Sequence, residues 1–254
     1  MMEFFYKILG LPELASTHGH KVDEFIVYLH WLMIALFVGW FIYFVLVLWR
    51  FNARRNPRAN YFGVRNHVST YAEVGVVVAE SFLLLFLAIP LWGKVVGDFP
   101  KESDSTVIQV VAQQFGWNAR YAGPDGAFGA QDMKFVADNN LFGVDPNDPK
   151  GKDDVQVYNE IHVPVGKPVI AYISSKDVIH SFRVVAMRAT QDAIPGMRIP
   201  MWFEPKKTGS YQIYCAQLCG NGHAAMAGGR LVVDTPEDYS KWLASKVGAA
   251  VSFE

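Results

Sequence analysis

The sequence predicts a membrane-anchored all-β protein, in which a hairpin of two transmembrane helices precedes a β-sandwich domain closed by a C-terminal helix. Three observations predict it. Apolar residues make up 51% of the 254-residue chain, and the excess is concentrated in the first hundred residues. Two long apolar runs stand there, separated by a loop rich in arginine. Beyond them the pattern changes to short β-branched runs bounded by Gly, Pro and Asp, the pattern of sandwiches and barrels. The expected division is residues 1–96 for the N-terminal segment and hairpin, and residues 97–254 for the outer domain. A net charge of −1 and a pI near 6.7 lack the basic excess of nucleic-acid binding proteins, so no nucleic-acid partner is expected.

The first span is predicted at about residues 25–49, an apolar run interrupted only by His30. A bilayer is crossed by roughly 20 apolar residues in a helix, and a globular helix would show a polar face that this run lacks. The second span, at about residues 74–92, is broken only by Glu80 and Ser81. Between the two lie Arg50, Arg54, Arg55, Arg58 and Arg65, with no acid before Glu73. By the positive-inside rule this loop is cytoplasmic, which puts both termini and the outer domain on the periplasmic side of a bacterial cell membrane. The first residues lack the apolar core of a cleaved signal peptide, so the first span is expected to start its own insertion. Acids in membrane helices are costly and functional by default, which singles out Glu73 and Glu80.

In the outer domain, strands are predicted at residues 107–111, 155–163, 168–174, 180–185 and 230–233. A final helix is expected to start with Thr235 as N-cap and Pro236 in its first turn, and to run to about Val247. Residues 122–154, rich in Gly, Asn, Pro and Asp, read as a long excursion between strands.

The chemistry is concentrated in one stretch. Cys215, Cys219, His223 and Met226 fall within twelve residues, C-A-Q-L-C-G-N-G-H-A-A-M, and His180 opens a strand upstream. These are the only two cysteines. A disulfide between them suits an oxidising compartment but leaves the His and Met spacing unexplained. A Cys2His2 zinc site has suitable ligand types, yet its spacing departs from zinc fingers and Met226 stands idle. A mononuclear blue-copper site leaves one Cys over. Two coppers bridged by both sulfurs use every donor, and thiolate with thioether selects copper over harder metals. No Cys-x-x-Cys-His haem-attachment motif is present, so any haem belongs to a partner.

With its span hairpin, the S-S-K-D-V-I-H-S-F stretch ending at Phe182, D-A-I-P-G from Asp192, and the Cys215 to Met226 loop, the chain resembles cytochrome c oxidase subunit II of the aa3 type. The resemblance covers nearly the whole chain. It implies a cupredoxin-like Greek-key sandwich with a dinuclear copper A site bridged by Cys215 and Cys219. One copper would take His180 and Met226, the other His223 and the backbone carbonyl of Gln217. The implied partners are the haem-bearing subunit I, the other oxidase subunits and a c-type cytochrome as electron donor. The implied role is to pass electrons to haem in subunit I, where oxygen is reduced to water and protons are pumped. The alternative is the copper A subunit of a nitric oxide reductase.

Three positions depart from the family pattern. Gln217 stands where the family has a Glu whose side chain meets magnesium or manganese at the boundary with subunit I. A neutral amide is a weaker ligand for such a hard ion, so this site is expected to be weakened while the copper role, which uses the backbone, survives. Phe115 falls where the family's electron-receiving Trp is expected, with Trp117 at the second aromatic position; both are electron-entry candidates, and Trp117 is the one expected to carry the path. Glu73 matches the family Glu implicated in proton uptake from the inner side, but the proline that follows in many relatives is replaced by Glu80.

Overall fold

A computed structural model of the chain describes residues 2–58, 61–63 and 66–247. It divides into two compact units, one of Met1–Gly10 with Lys21–Lys94, the other of Leu11–His20 with Val95–Glu254.

The first unit is helical. After α1 (Met2–Leu9), α2 (Gly19–Arg50) runs for 32 residues, and a second long helix, Val68–Gly97, for 30. An 18-residue stretch within each has a mean hydropathy of 2.5 and 2.4, respectively. At 1.5 Å per residue each helix reaches about 45 Å, more than the ~30 Å apolar thickness of a bilayer. Side chains such as Phe37, Trp40, Phe41 and Phe86 are exposed, a surface suited to lipid. Both helices extend past the expected spans because their polar ends continue the same backbone pairing. The second helix is α3 (Val68–Phe82), a π-helical segment (Leu83–Ala88) and α4 (Ile89–Gly97). In the connecting loop Arg50, Arg54, Arg55 and Arg58 are exposed; Arg65 lies outside the described residues.

The second unit is a β-sandwich. Its strands are β1 (Thr106–Gln113), β2 (Gly116–Tyr121), β3 (Val155–Tyr158), β4 (Glu160–Pro164), β5 (Val169–Ser175), β6 (His180–Val184), β7 (Ala189–Ala193), β8 (Ile199–Phe203), β9 (Gly209–Gln212), β10 (Tyr214–Cys215) and β11 (Arg230–Asp234). One sheet has the order β3-β2-β1-β5-β8; the others are β10-β6-β7 and β4-β11-β9. β1 is parallel to β5 and β4 to β11, while the remaining pairs are antiparallel. Ile108, Val110, Trp117, Phe182, Phe203, Ile213 and Leu231 fill the core. Burying a side chain of that size stabilises by about 1.5–3 kcal/mol.

The run expected as one strand over residues 155–163 is two. Asn159 has φ 57°, a left-handed conformation that Asn tolerates better than most residues. It separates β3, paired with β2, from β4, paired with β11. The excursion of residues 122–154 is pinned to β2 by Arg120, which is fully buried, pairs with Asp154 and donates to the Gly129 carbonyl at 2.9 Å. Asp125, Asp132, Asp145 and Asp148 each accept a backbone N–H two residues on, so these acids build the excursion's own turns.

A strap, Leu11–His20, packs with this unit, which a division at residue 96 alone does not foresee. Ala15 donates to Ala186 O and accepts from Lys206 N, both at 2.8 Å, and the Ser16 hydroxyl donates to Met187 O at 2.7 Å. The final helix, α5 (Pro236–Lys246), starts as its sequence indicates, with the Thr235 hydroxyl accepting from Asp238 N at 3.2 Å. Tyr239, Trp242 and Leu243 pack it on the core.

Candidate metal centre

Pairing of β10 with β6 sets Cys215 opposite Phe182, two residues from His180. Past Cys215 the chain leaves the sheet through a loop and returns in a 3-10 segment, His223–Gly228, before β11. The loop needs its glycines. Gly220 has φ +136°, and a Cβ on Gly222 would stand 2.4 Å from the Phe115 ring.

This arrangement brings six donors together. The Cys215 sulfur is 3.0 Å from the Gln217 carbonyl oxygen and 3.9 Å from His180 Nδ1. The Cys219 sulfur is 3.4 Å from His223 Nδ1 and 3.4 Å from Met226 Sδ. Met226 Sδ is in turn 3.1 Å from His180 Nδ1. The sulfurs themselves are 3.9 Å apart, and no disulfide joins them.

The histidine is prepared as a ligand. His180 is fully buried, and its Nε2 meets Asp177 Oδ1 at 2.8 Å. An ionised carboxylate only accepts, so Nε2 carries the proton and Nδ1 turns its lone pair toward the sulfurs. Asp177 is held below the usual carboxylate range: burial pushes it up, but the Gln114 N–H, the His180 ring and the Val178 N–H together pull it down further. The Cys219 thiol is pushed up to about 11 by burial first and by the neighbouring Cys215 second. The Cys219 sulfur therefore resists ionising unless a cation joins it. Thiolates, imidazoles and a thioether within this reach fit a soft metal, and copper above the hard divalent ions. His180, Cys215 and Cys219 offer ligand atoms all within 4.8 Å of one another.

The two aromatic candidates separate by depth. Trp117 is fully buried; its indole N–H donates to the Met226 carbonyl at 3.0 Å, and its ring meets Phe182 and His180 edge-on, with centroids 5.3 and 6.3 Å away. It is a core aromatic behind the ligand loop. Phe115, in the turn between β1 and β2, is half-buried and packs against Gly220 and Gly222 of the loop. Gln217 is exposed at its side chain. Glu73 and Glu80 both lie on α3 of the helical unit, exposed and seven residues apart, hence on one helix face.

Sequence reasoning did not single out Asp177 or Gln114 as parts of the centre. For Asp177 a signal exists, since a carboxylate three residues before a strand-opening His can turn back to its ring. Gln114 gives no such signal, because its partners are 63 and 105 residues away.

The family described as "Cytochrome C oxidase subunit II, periplasmic domain" matches residues 106–234. The "Alternative cytochrome c oxidase subunit 2" of Bradyrhizobium diazoefficiens is 30% identical over 229 residues, covering 90% of this chain and 81% of its own length. A "Probable cytochrome c oxidase subunit 2" of Rickettsia bellii is 33% identical over 237 residues, covering 92% and 81%. Among solved structures, the periplasmic domain of subunit II of cytochrome oxidase from Bradyrhizobium japonicum aligns with 58% of this chain and 95% of its own, at 30% identity and a TM-score of 0.42.

Proposed function

The chain belongs to the cytochrome c oxidase subunit II family, and from that premise we propose that its outer domain holds a dinuclear copper A centre, through which electrons from a c-type cytochrome reach haem in subunit I. The chain is the membrane-anchored subunit II of a haem-copper oxidase, with two helices long and apolar enough to span the membrane and a cupredoxin-like domain. The carrying observation is the placement of the sulfurs. Cys215 lies near His180 and the Gln217 carbonyl, while Cys219 lies near Met226 and His223. Each sulfur thus meets one donor of the His180–Met226 pair and one of the His223–Gln217 pair, which supports the reading that both thiolates would serve both metals.

Such a centre supplies one-electron transfer with no bond made or broken in this chain. The residues around it hold the donors still. Asp177 orients the His180 ring, Trp117 fixes the Met226 carbonyl, and β6 with β10 fixes the spacing between His180 and Cys215. Phe115 is the more exposed of the two aromatics and suits the first contact with the donor protein. Glu73 is the proposed proton-uptake group. The arginines of the connecting loop support a cytoplasmic hairpin tip, with both termini and the copper domain on the periplasmic side.

Metal analysis and electron paramagnetic resonance on the purified complex test the reading. The expected result is two coppers in this subunit and, when oxidised, one unpaired electron shared equally between them. Cys215→Ser and Cys219→Ser should each abolish that signal. A single zinc, or an unchanged copper spectrum in either variant, would refute it. In intact cells the arginine loop should resist external protease and be cut in inverted vesicles; the reverse pattern overturns the orientation.

A further inference from the structure

The donors come from two separate pieces of sequence, His180 at the start of β6 and the stretch from Cys215 to Met226. A third piece, the turn between β1 and β2, joins them. Asp177 accepts from His180 Nε2 through Oδ1 at 2.8 Å, and from the backbone N–H of Gln114 through Oδ2 at 2.7 Å. Gln114 then donates its side-chain amide to the carbonyl of Cys219 at 2.7 Å. The result is a continuous hydrogen-bonded path from one proposed copper ligand to another, His180 to Asp177 to Gln114 to Cys219. The next residue, Phe115, presses on the same loop at Gly220 and Gly222.

We propose that Gln114 is a positioning residue of the metal centre, a cross-brace that sets the Cys219 peptide, and so the direction of its sulfur, relative to His180. The inference rests on the reading that this cluster holds copper. Cys215 is held by strand pairing, with Ala216 N donating to Ser181 O just beyond it. Cys219 has no strand to hold it, and it sits beside Gly220, whose backbone adopts the conformation that L side chains rarely take. A donor on its carbonyl stops rotation of that peptide plane. Glutamine suits the task for definite reasons. Asparagine is one methylene too short, methionine matches the length without a donor, and an ionised glutamate can only accept. The backbone bond to Asp177 survives any of these changes, so side-chain variants isolate the bond to Cys219.

The test uses the full chain within the oxidase complex, with Gln114→Met and Gln114→Glu. With copper bound, the resonance of both variants should show an electron no longer shared equally, while the copper count stays at two. After copper removal, alkylation followed by mass analysis should show Cys219 modified several-fold faster than in the unaltered protein, and Cys215 at the same rate. Adding Asp177→Asn to Gln114→Met should give less than the sum of the separate effects, because both belong to one path. Unchanged resonance together with unchanged Cys219 alkylation in both variants overturns the proposal. Failure of the parent reading is a different result, the absence of two coppers from the unaltered complex, and the alkylation arm does not depend on it.

Discussion

Two buried histidines of the outer domain, His180 and His162, are built from the same parts and reach opposite outcomes. Each is hydrogen-bonded to a carboxylate and stands beside a tryptophan. His180 has one carboxylate, Asp177, on Nε2, and its Nδ1 faces sulfur. His162 has two: Asp234 on Nδ1 at 2.6 Å and Glu160 on Nε2 at 3.0 Å. Its ring stacks on Trp242 of α5, centroids 4.2 Å apart at 16°. One carboxylate fixes the tautomer and leaves a lone pair for a metal. A second carboxylate takes up that nitrogen, and the ring becomes a strut between β4, β11 and α5. The number of acids around these two buried histidines, more than their depth, separates the ring with a nitrogen left for a metal from the one held at both nitrogens.

Substituting each histidine in turn is the sharpest way to break this comparison, and it carries the largest expected effect. His180→Gln should eliminate the shared-electron copper signal and leave the fold intact. His162→Gln should keep both coppers but remove at least one hydrogen bond to a charged group, at a cost of roughly 1.5–3 kcal/mol, seen as a lower thermal midpoint. Copper retained in the first variant, or lost in the second, would abolish the distinction.

The tryptophans sharpen it next. Trp117 is fully buried and bonded to the Met226 carbonyl, so Trp117→Ala should cost about 3–5 kcal/mol and disturb the metal signal as well. Trp242 is only partly buried, so Trp242→Ala should cost less, release α5 to protease and leave the copper spectrum as it was. Equal spectral changes in the two variants would mean that the domain transmits packing defects everywhere, and the separation of ligand from scaffold would fail.

Phe115→Ala should cost less stability than Trp117→Ala, since the ring is only half-buried where it packs on Gly220 and Gly222. It should slow reduction by the donor cytochrome far more than the onward step to haem, which flash-reduction kinetics resolve. If Trp117→Ala alone has that selectivity, the inner aromatic is the electron-receiving one.

The parts that were legible in the sequence were those whose cause is local. Both spans follow from long apolar runs that few polar residues interrupt, and β5, β6 and β11 from β-branched runs. β2 was not legible as a strand because Asn118 and Arg120 break its apolar pattern. They are buried all the same, Arg120 against the excursion through Asp154 and Gly129. The edge strands β7 and β9 are polar, and their pairing to β6 and β11 comes from the sheet. The strap Leu11–His20 is held by partners more than 150 residues away, which no local pattern reveals. At the centre, the donors from Cys215 to Met226 stand together in sequence. The approach of His180 depends on β6 meeting β10, and the braces Asp177 and Gln114 become visible only once three separate segments are folded together.

The smallest effect expected on the copper itself is at Gln217, where backbone and side chain take different roles. The carbonyl oxygen lies 3.0 Å from the Cys215 sulfur, on the donor side of the loop, while the side chain is exposed. Any residue supplies the carbonyl, so Gln217→Ala should retain both coppers and most electron transfer. By the resemblance, the side chain is expected where the family has a carboxylate for a hard divalent ion at the boundary with subunit I. Anionic oxygen binds magnesium and manganese better than a neutral amide does, so Gln217→Glu should tighten manganese binding there, measured by the manganese resonance of the purified complex. Copper loss in the alanine variant would show that the amide supports the loop directly, making Gln217 a strut like His162 as well as a ligand. Unchanged manganese affinity in the glutamate variant would show that the matching ligands of subunit I are missing, and the weakened hard-ion site would then be a property of the complex and not of this one residue.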